Sequence, residues 1–191
     1  MPIEQRTSYT FVVADSLQTI LPDVAPKPLN AQIPLTGFAG ETVSFQLAYL
    51  PPTTTTLGKL STLRFEIGAE AAPWTVVSTV ELVPCALLAY DEHDDGYLRD
   101  TPGLYPDVLR PLVPGATIRA VIGQWRAIWV AVTIPDGMDG KLSVPVTVIS
   151  GDSEILFTTT VELEVSSLLL PELDIVNTHW IHFDAIADHY G

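Results

Sequence analysis

The stretch DEHDDGYLRDTPGLYPDVLRP, residues 91–111, gathers Asp91, Glu92, Asp94, Asp95 and Asp100 around His93. Carboxylates this dense can chelate a hard cation, or one can act as general acid beside another that stays ionised. Neither pattern is complete. A calcium loop of the EF-hand type needs oxygen ligands at alternate positions, a central glycine and a closing bidentate glutamate. Counted from Asp91, His93 takes one ligand position, and Pro102, which has no side-chain oxygen, takes the closing one. Acid/base work needs one carboxyl raised by burial, whereas these acids flank Gly96 in a segment that reads as a solvated loop. The segment is therefore expected to be a proline-stiffened loop covered by another domain, with Asp91, Tyr97, Arg99 and Tyr105 as contact residues.

Two further constellations can do chemistry. In QWRAIWVAVTI the residues Ile128, Val130, Val132 and Ile134 share one strand face, and Trp125, Ala127, Trp129 and Ala131 share the other. Two indoles on a second face imply either cover on both sides or an aromatic platform on which a sugar can stack. Burial against a neighbouring domain is the favoured reading of the two. Near the C-terminus lie His179, His182, Asp184, Asp188 and His189. Histidines three apart share a helix face but oppose each other on a strand, and this stretch begins as a strand, which weighs against a metal. On that strand Trp180, His182 and Asp184 share a side. No P-loop, dinucleotide fingerprint or nucleophile elbow is present, no serine, histidine and aspartate spacing singles out a nucleophile, and no cofactor is expected.

The elements that would position these residues are strands. The 191 residues are 47% hydrophobic and 17% charged, enough apolar surface for a substantial core and against disorder. Net charge is −14, with 23 acids against nine Lys and Arg and no basic run, which disfavours nucleic acid as a partner. No apolar stretch approaches the roughly 20 residues of a membrane helix, so no membrane partner is expected, and the N-terminus has no signal pattern. A cytoplasmic protein is the expectation. Cys85, the one cysteine, lies in an apolar run and is expected to be buried and inert.

Alternation of period two runs through 42–50, 62–67, 141–149 and 155–165, with turn signals between the runs. The inward set in the last run is Ile155, Phe157, Val161, Leu163 and Val165. Residues 124–134 and 141–149 read as a hairpin through PDGMDG, followed by a second hairpin through SGDSE. Pro145 should mark an edge strand or a bulge. Short turns without intervening helices predict an antiparallel, immunoglobulin-like β-sandwich over residues 1–170. Residues 171–191 read as a linker and a strand entering a helix, the truncated start of a further domain.

Taken together, GETVSFQLAYLPP, DDGYLRDTPGLYPDVLRP, GQWRAIWVAVTIP and THWIHFDAIADHYG resemble the N-terminal region of the family-123 glycoside hydrolases, the β-N-acetylgalactosaminidase-like proteins, and their uncharacterised bacterial relatives. The resemblance runs from Tyr9 to the end. It implies an accessory β-sandwich ahead of a catalytic (β/α) barrel, which would be the partner in cis and would act on N-acetylhexosaminides. In that family an adjacent Asp-Glu pair inside the barrel works by substrate assistance, the sugar's acetamido oxygen attacking its own anomeric carbon. That pair would lie beyond Gly191, so Asp91-Glu92 is not its counterpart and no catalytic residue carries over. By position alone, Trp180, His182 and Asp184 would line the substrate site of the intact protein. Two other functions stay open: a carbohydrate-binding module using Trp125 and Trp129, and a protein-interaction β-sandwich.

Overall fold

The computed structural model describes residues 7–30, 34–53, 62–86 and 96–169, and near the C-terminus 184, 187 and 188. Among these are ten strands: β1 (Thr10–Asp15), β2 (Leu35–Ala39), β3 (Thr42–Leu50), β4 (Thr62–Ile67), β5 (Thr75–Cys85), β6 (Gly103–Pro111), β7 (Thr117–Arg119), β8 (Arg126–Thr133), β9 (Gly140–Ser150) and β10 (Ile155–Leu169). They form two five-stranded sheets. The first has the spatial order β1, β3, β8, β5, β6, and the second β2, β10, β9, β4, β7. The protein is all-β in character, and none of its described helices is long and apolar enough to cross a membrane.

One core joins the sheets. Phe45 and Leu47 of β3 with Ile128, Val130 and Val132 of β8 face Leu63 of β4, Val144, Val146 and Val148 of β9 and Leu163 of β10, all fully buried. The predicted alternation names these rows correctly, since side chains of one parity share a face.

Neighbour assignment is where the structure differs. Residues 124–134 and 141–149 do not form a hairpin: β8 belongs to the first sheet and β9 to the second. Their inward rows meet across the core instead of side by side, and alternation cannot tell these two relations apart. The chain likewise changes sheets between β2 and β3, at a corner where Gly40 has φ 81° and the Glu41 carboxylate accepts from the Phe38 N–H at 2.9 Å. The second hairpin, β9 with β10, is present. Pairing is antiparallel except between β2 and β10, which are parallel.

Three local expectations also change. Pro145 lies on β9, inside its sheet, with β10 on one side and β4 on the other. Its missing donor is tolerated because β4 ends at Ile67, and Gly68 follows, donating its N–H to the Pro145 carbonyl at 2.9 Å. A Cβ at position 68 would lie 2.9 Å from the Pro145 ring, so the glycine makes the approach possible. In β10 the register shifts between Ile155 and Phe157, so Leu156 and Phe157 both pack on the core while Ile155 is exposed. Cys85, at the end of β5, is only partly buried.

The expected loop at 91–111 is in good part a strand. Residues 103–111 form β6, which borders β5 at the edge of the first sheet, with a bulge at Asp107 where the register shifts next to Pro106. A proline-bearing strand suits an edge, where missing donors disturb one ladder only. Asp91 lies outside the described residues.

Candidate functional site

The first sheet carries a groove on each face, and each grows from the ends of the same strands. On the outer face, Trp125, Ala127 and Trp129 lie with Ala14, Ala48, Leu50 and Val80 in a second, smaller core. Its cover comes from the chain itself: the β1–β2 connection, residues 16–30, folds over the face and buries Ile20 and Leu21. The Pro22 carbonyl accepts from the Trp125 N–H at 2.8 Å. Trp125 is therefore 8% exposed and closed to a stacking sugar, whereas Trp129 is half-buried at the rim.

Side-chain amides hold this cover down. Gln46, opposite Trp129 on β3, donates from Nε2 to the backbone oxygens of Asp15, Ser16 and Gln18 at 3.0, 3.3 and 2.7 Å. Gln18 in turn donates to the Lys27 carbonyl at 3.0 Å and accepts from the Lys27 N–H at 2.7 Å, closing the loop on itself. The Arg99 guanidinium binds Asp23 at 2.9 Å and holds its carboxyl below the ordinary value, tying the segment before β6 to the same loop. Between cover and β6 remains an open groove of about 290 Å³ with Trp129 in its wall and Thr19 and Asp107 at its margin.

The inner face ends differently. The inward row of β8 begins at Arg126, opposite Tyr49 of β3, and the inward row of β5 runs from Val77 through Thr79 to Glu81. Arg110 of β6 is opposite Thr79. Alternation that is apolar in the middle of the sheet thus turns polar at its β5–β6 end. Arg119, from short β7 of the other sheet, completes a groove of about 500 Å³.

Glu81 is the hub of this groove. Its Oε1 accepts from the Thr79 hydroxyl at 2.7 Å and from Arg110 Nε and Nη2 at 3.0 and 2.6 Å, while its Oε2 lies 3.8 Å from Arg126 Nη2. The Thr79 hydrogen bond holds the Glu81 carboxyl below its ordinary value, partial burial pushes it the other way, and Arg110 adds to the lowering. Burial pushes the neighbouring Tyr49 phenol well above its usual range. The arrangement can grip an anion. It offers no acid raised towards neutrality and so no evident general acid.

Of the other expected site residues, Tyr97 is 46% exposed, and the Tyr105 hydroxyl on β6 bonds the Thr101 carbonyl. Trp180 and His182 lie outside the described residues, and Asp184 is helical and exposed. Among the described residues no three His, Cys, Asp or Glu side chains gather to hold a metal ion. The arginine groove was missed in the sequence, although a signal exists: the inward parity of RAIWVAVTI starts on Arg126, and that of TVVSTVEL ends on Glu81.

No protein-family model matches the chain, and no curated protein matches it. Among solved structures it is similar to a family 123 glycoside hydrolase from Clostridium perfringens, described for its hydrolysis of glycolipid glycans. The TM-score is 0.64 at 10% identity, over 86% of this chain and 28% of that one. At this identity the likeness is one of fold alone, and the chain corresponds to little more than a quarter of the hydrolase's length. A second structure, the Pseudomonas fluorescens alkylpurine DNA glycosylase AlkC bound to DNA containing an abasic site analog, aligns over 81% of this chain and 30% of that one. It does so at 11% identity with a TM-score of 0.28, too low to carry any argument.

Proposed function

We propose that this chain is a non-catalytic β-sandwich domain of the immunoglobulin-like type in a glycoside-hydrolase-like protein, where it supports a downstream (β/α) barrel acting on N-acetylhexosaminides. The observation that carries the reading is the fold likeness to part of a family 123 hydrolase, over most of this chain and a minor share of that one. The surface offered to the barrel is the edge of the first sheet from residue 96 to 111. There Tyr97, Leu98, Val108 and Leu109 are 46, 73, 49 and 44% exposed, apolar side chains that the sheet itself leaves uncovered along this edge. Arg99 fixes the start of this surface through Asp23, and Tyr105 fixes its own strand.

The purified chain should leave an aryl N-acetylgalactosaminide unhydrolysed, and turnover of that substrate by the chain alone would sink the proposal. In the full-length protein, Leu98→Ser should lower the melting temperature of the whole while leaving that of the isolated chain unchanged. Equal loss in both would remove the 96–111 edge from the contact.

A second reading, a carbohydrate-binding module, is favoured by one observation: Trp129 remains half-buried in the wall of an open groove with Asp107 and Thr19 at its margin. Titration with N-acetylgalactosamine, followed through tryptophan emission, separates the two. A saturable change lost in Trp129→Ala supports the module, and a flat titration removes it.

A further inference from the structure

The groove between the first sheet and β7 concentrates positive charge in a strongly negative protein. Arg110, Arg119 and Arg126 are three of the chain's nine Lys and Arg residues, and all line it, with Glu81 as the single acid among its lining side chains. Three guanidiniums against one carboxylate leave an excess of two positive charges where the whole chain carries −14. Such a local inversion has a cost within the fold, because a charge withdrawn from water needs close partners.

For Arg126, the least exposed of the three, that need is met only in part. Both Arg110 contacts and the Thr79 hydroxyl converge on Glu81 Oε1, so that carboxylate serves Arg110 first. Arg126, with a side chain only 20% exposed, has its nearest described carboxylate oxygen at 3.8 Å, too long for a hydrogen bond. Arg119, an exposed residue of the same lining, makes no ion pair with any described residue. Tyr49, Leu112 and Ile118 add apolar surface to the lining, and the volume of about 500 Å³ falls in the roughly 300–1,000 Å³ range of small-molecule sites. Guanidinium forks match planar or tetrahedral oxyanions by paired N–H donation.

We infer that this groove is a binding site for a small molecule bearing an oxyanion, a carboxylate, sulfate or phosphate group, held by Arg119 and Arg126. Glu81 is the internal anion that aligns Arg110 beside it.

The test is calorimetric titration of the purified chain with sodium sulfate, sodium phosphate, sodium glucuronate and neutral glucose, ionic strength being held constant with sodium chloride. At least one of the three anions should bind saturably while glucose does not. Sulfate or phosphate binding identifies the bare anion as sufficient, and binding of glucuronate alone identifies a sugar acid. Arg119→Ala removes an exposed side chain from a three-residue edge strand and should leave the fold intact, so it carries the decision: binding should weaken about tenfold or more, as for loss of a charge-assisted hydrogen bond. Arg119→Lys, which keeps the charge without the fork, should restore part of it. Glu81→Gln leaves a further positive charge unneutralised and should tighten binding. No saturable heat from any of the three anions, binding indifferent to Arg119→Ala, or binding of glucose alone would each overturn the inference.

Discussion

The two faces of the first sheet begin from the same strands and end in opposite conditions. On the outer face the polar groups are satisfied within the chain: the Gln46 amide donates to three carbonyls, and Gln18 bonds Lys27 twice. On the inner face, at the β5–β6 end, Glu81 hydrogen-bonds Arg110 and meets Arg126 only at the longer 3.8 Å, and Arg119 pairs with no described anion. The contrast teaches that two tryptophans on one outward strand face are not by themselves a binding surface. Trp125 belongs to the fold because residues 16–30 close over it, whereas the arginine groove keeps donors that the fold itself does not use up, the basis of the anion site inferred there.

The comparison breaks most visibly at Trp125. Trp125→Ala should cost about 3–5 kcal/mol in urea unfolding, the range for emptying an aromatic site in a packed core. A loss below about 1 kcal/mol would mean that the outer cover contributes no real core. Gln46→Ala comes next, at about 1–3 kcal/mol, because it strands backbone oxygens under the cover. Hydrogen exchange should speed up in residues 16–30 while β8 and β9 stay protected. Uniform acceleration would instead make the cover part of the global unit.

On the inner face the expected effects on stability are smaller and depend on pH. The folded Glu81 carboxyl titrates below its unfolded value. It therefore contributes stability that is fully present above the ordinary carboxylate pKa of 4.5 and is lost as pH falls from there through the lower folded value. Thr79→Val removes the largest cause of that lowering, so stability measured through the acid range should fall less steeply with acidification than in the parent. An unchanged acid limb would show that the arginines, not Thr79, set the Glu81 titration. Last, Arg119→Ala should move stability by no more than about 0.5 kcal/mol, as for a surface side chain outside any network. A change in anion binding without a change in stability is what would set this groove apart from the outer face.

Much of this contrast lies beyond the reach of pattern. The outward parity of Trp125 and Trp129 is legible, but the segment that covers them, SLQTILPDVAPKPL, has neither helical nor strand period. It is held by hydrogen bonds from side-chain amides to backbone carbonyls, which leave no periodic trace. Arg126 and Glu81 are legible as inward residues at the ends of their rows. That they meet is not, because the encounter depends on β5 lying beside β8.

By itself the sequence determined that the chain is built of strands, and which side of β3, β4, β8 and β9 faces the core. Side chains alternate along an extended backbone, so burial writes itself into parity. Only the tertiary structure decided which sheet each strand joins, how Pro145 fits inside one, that residues 103–111 form an edge strand, and where three arginines converge. Those outcomes depend on which strands become neighbours, and parity is the same whether a partner lies alongside in the sheet or across the core.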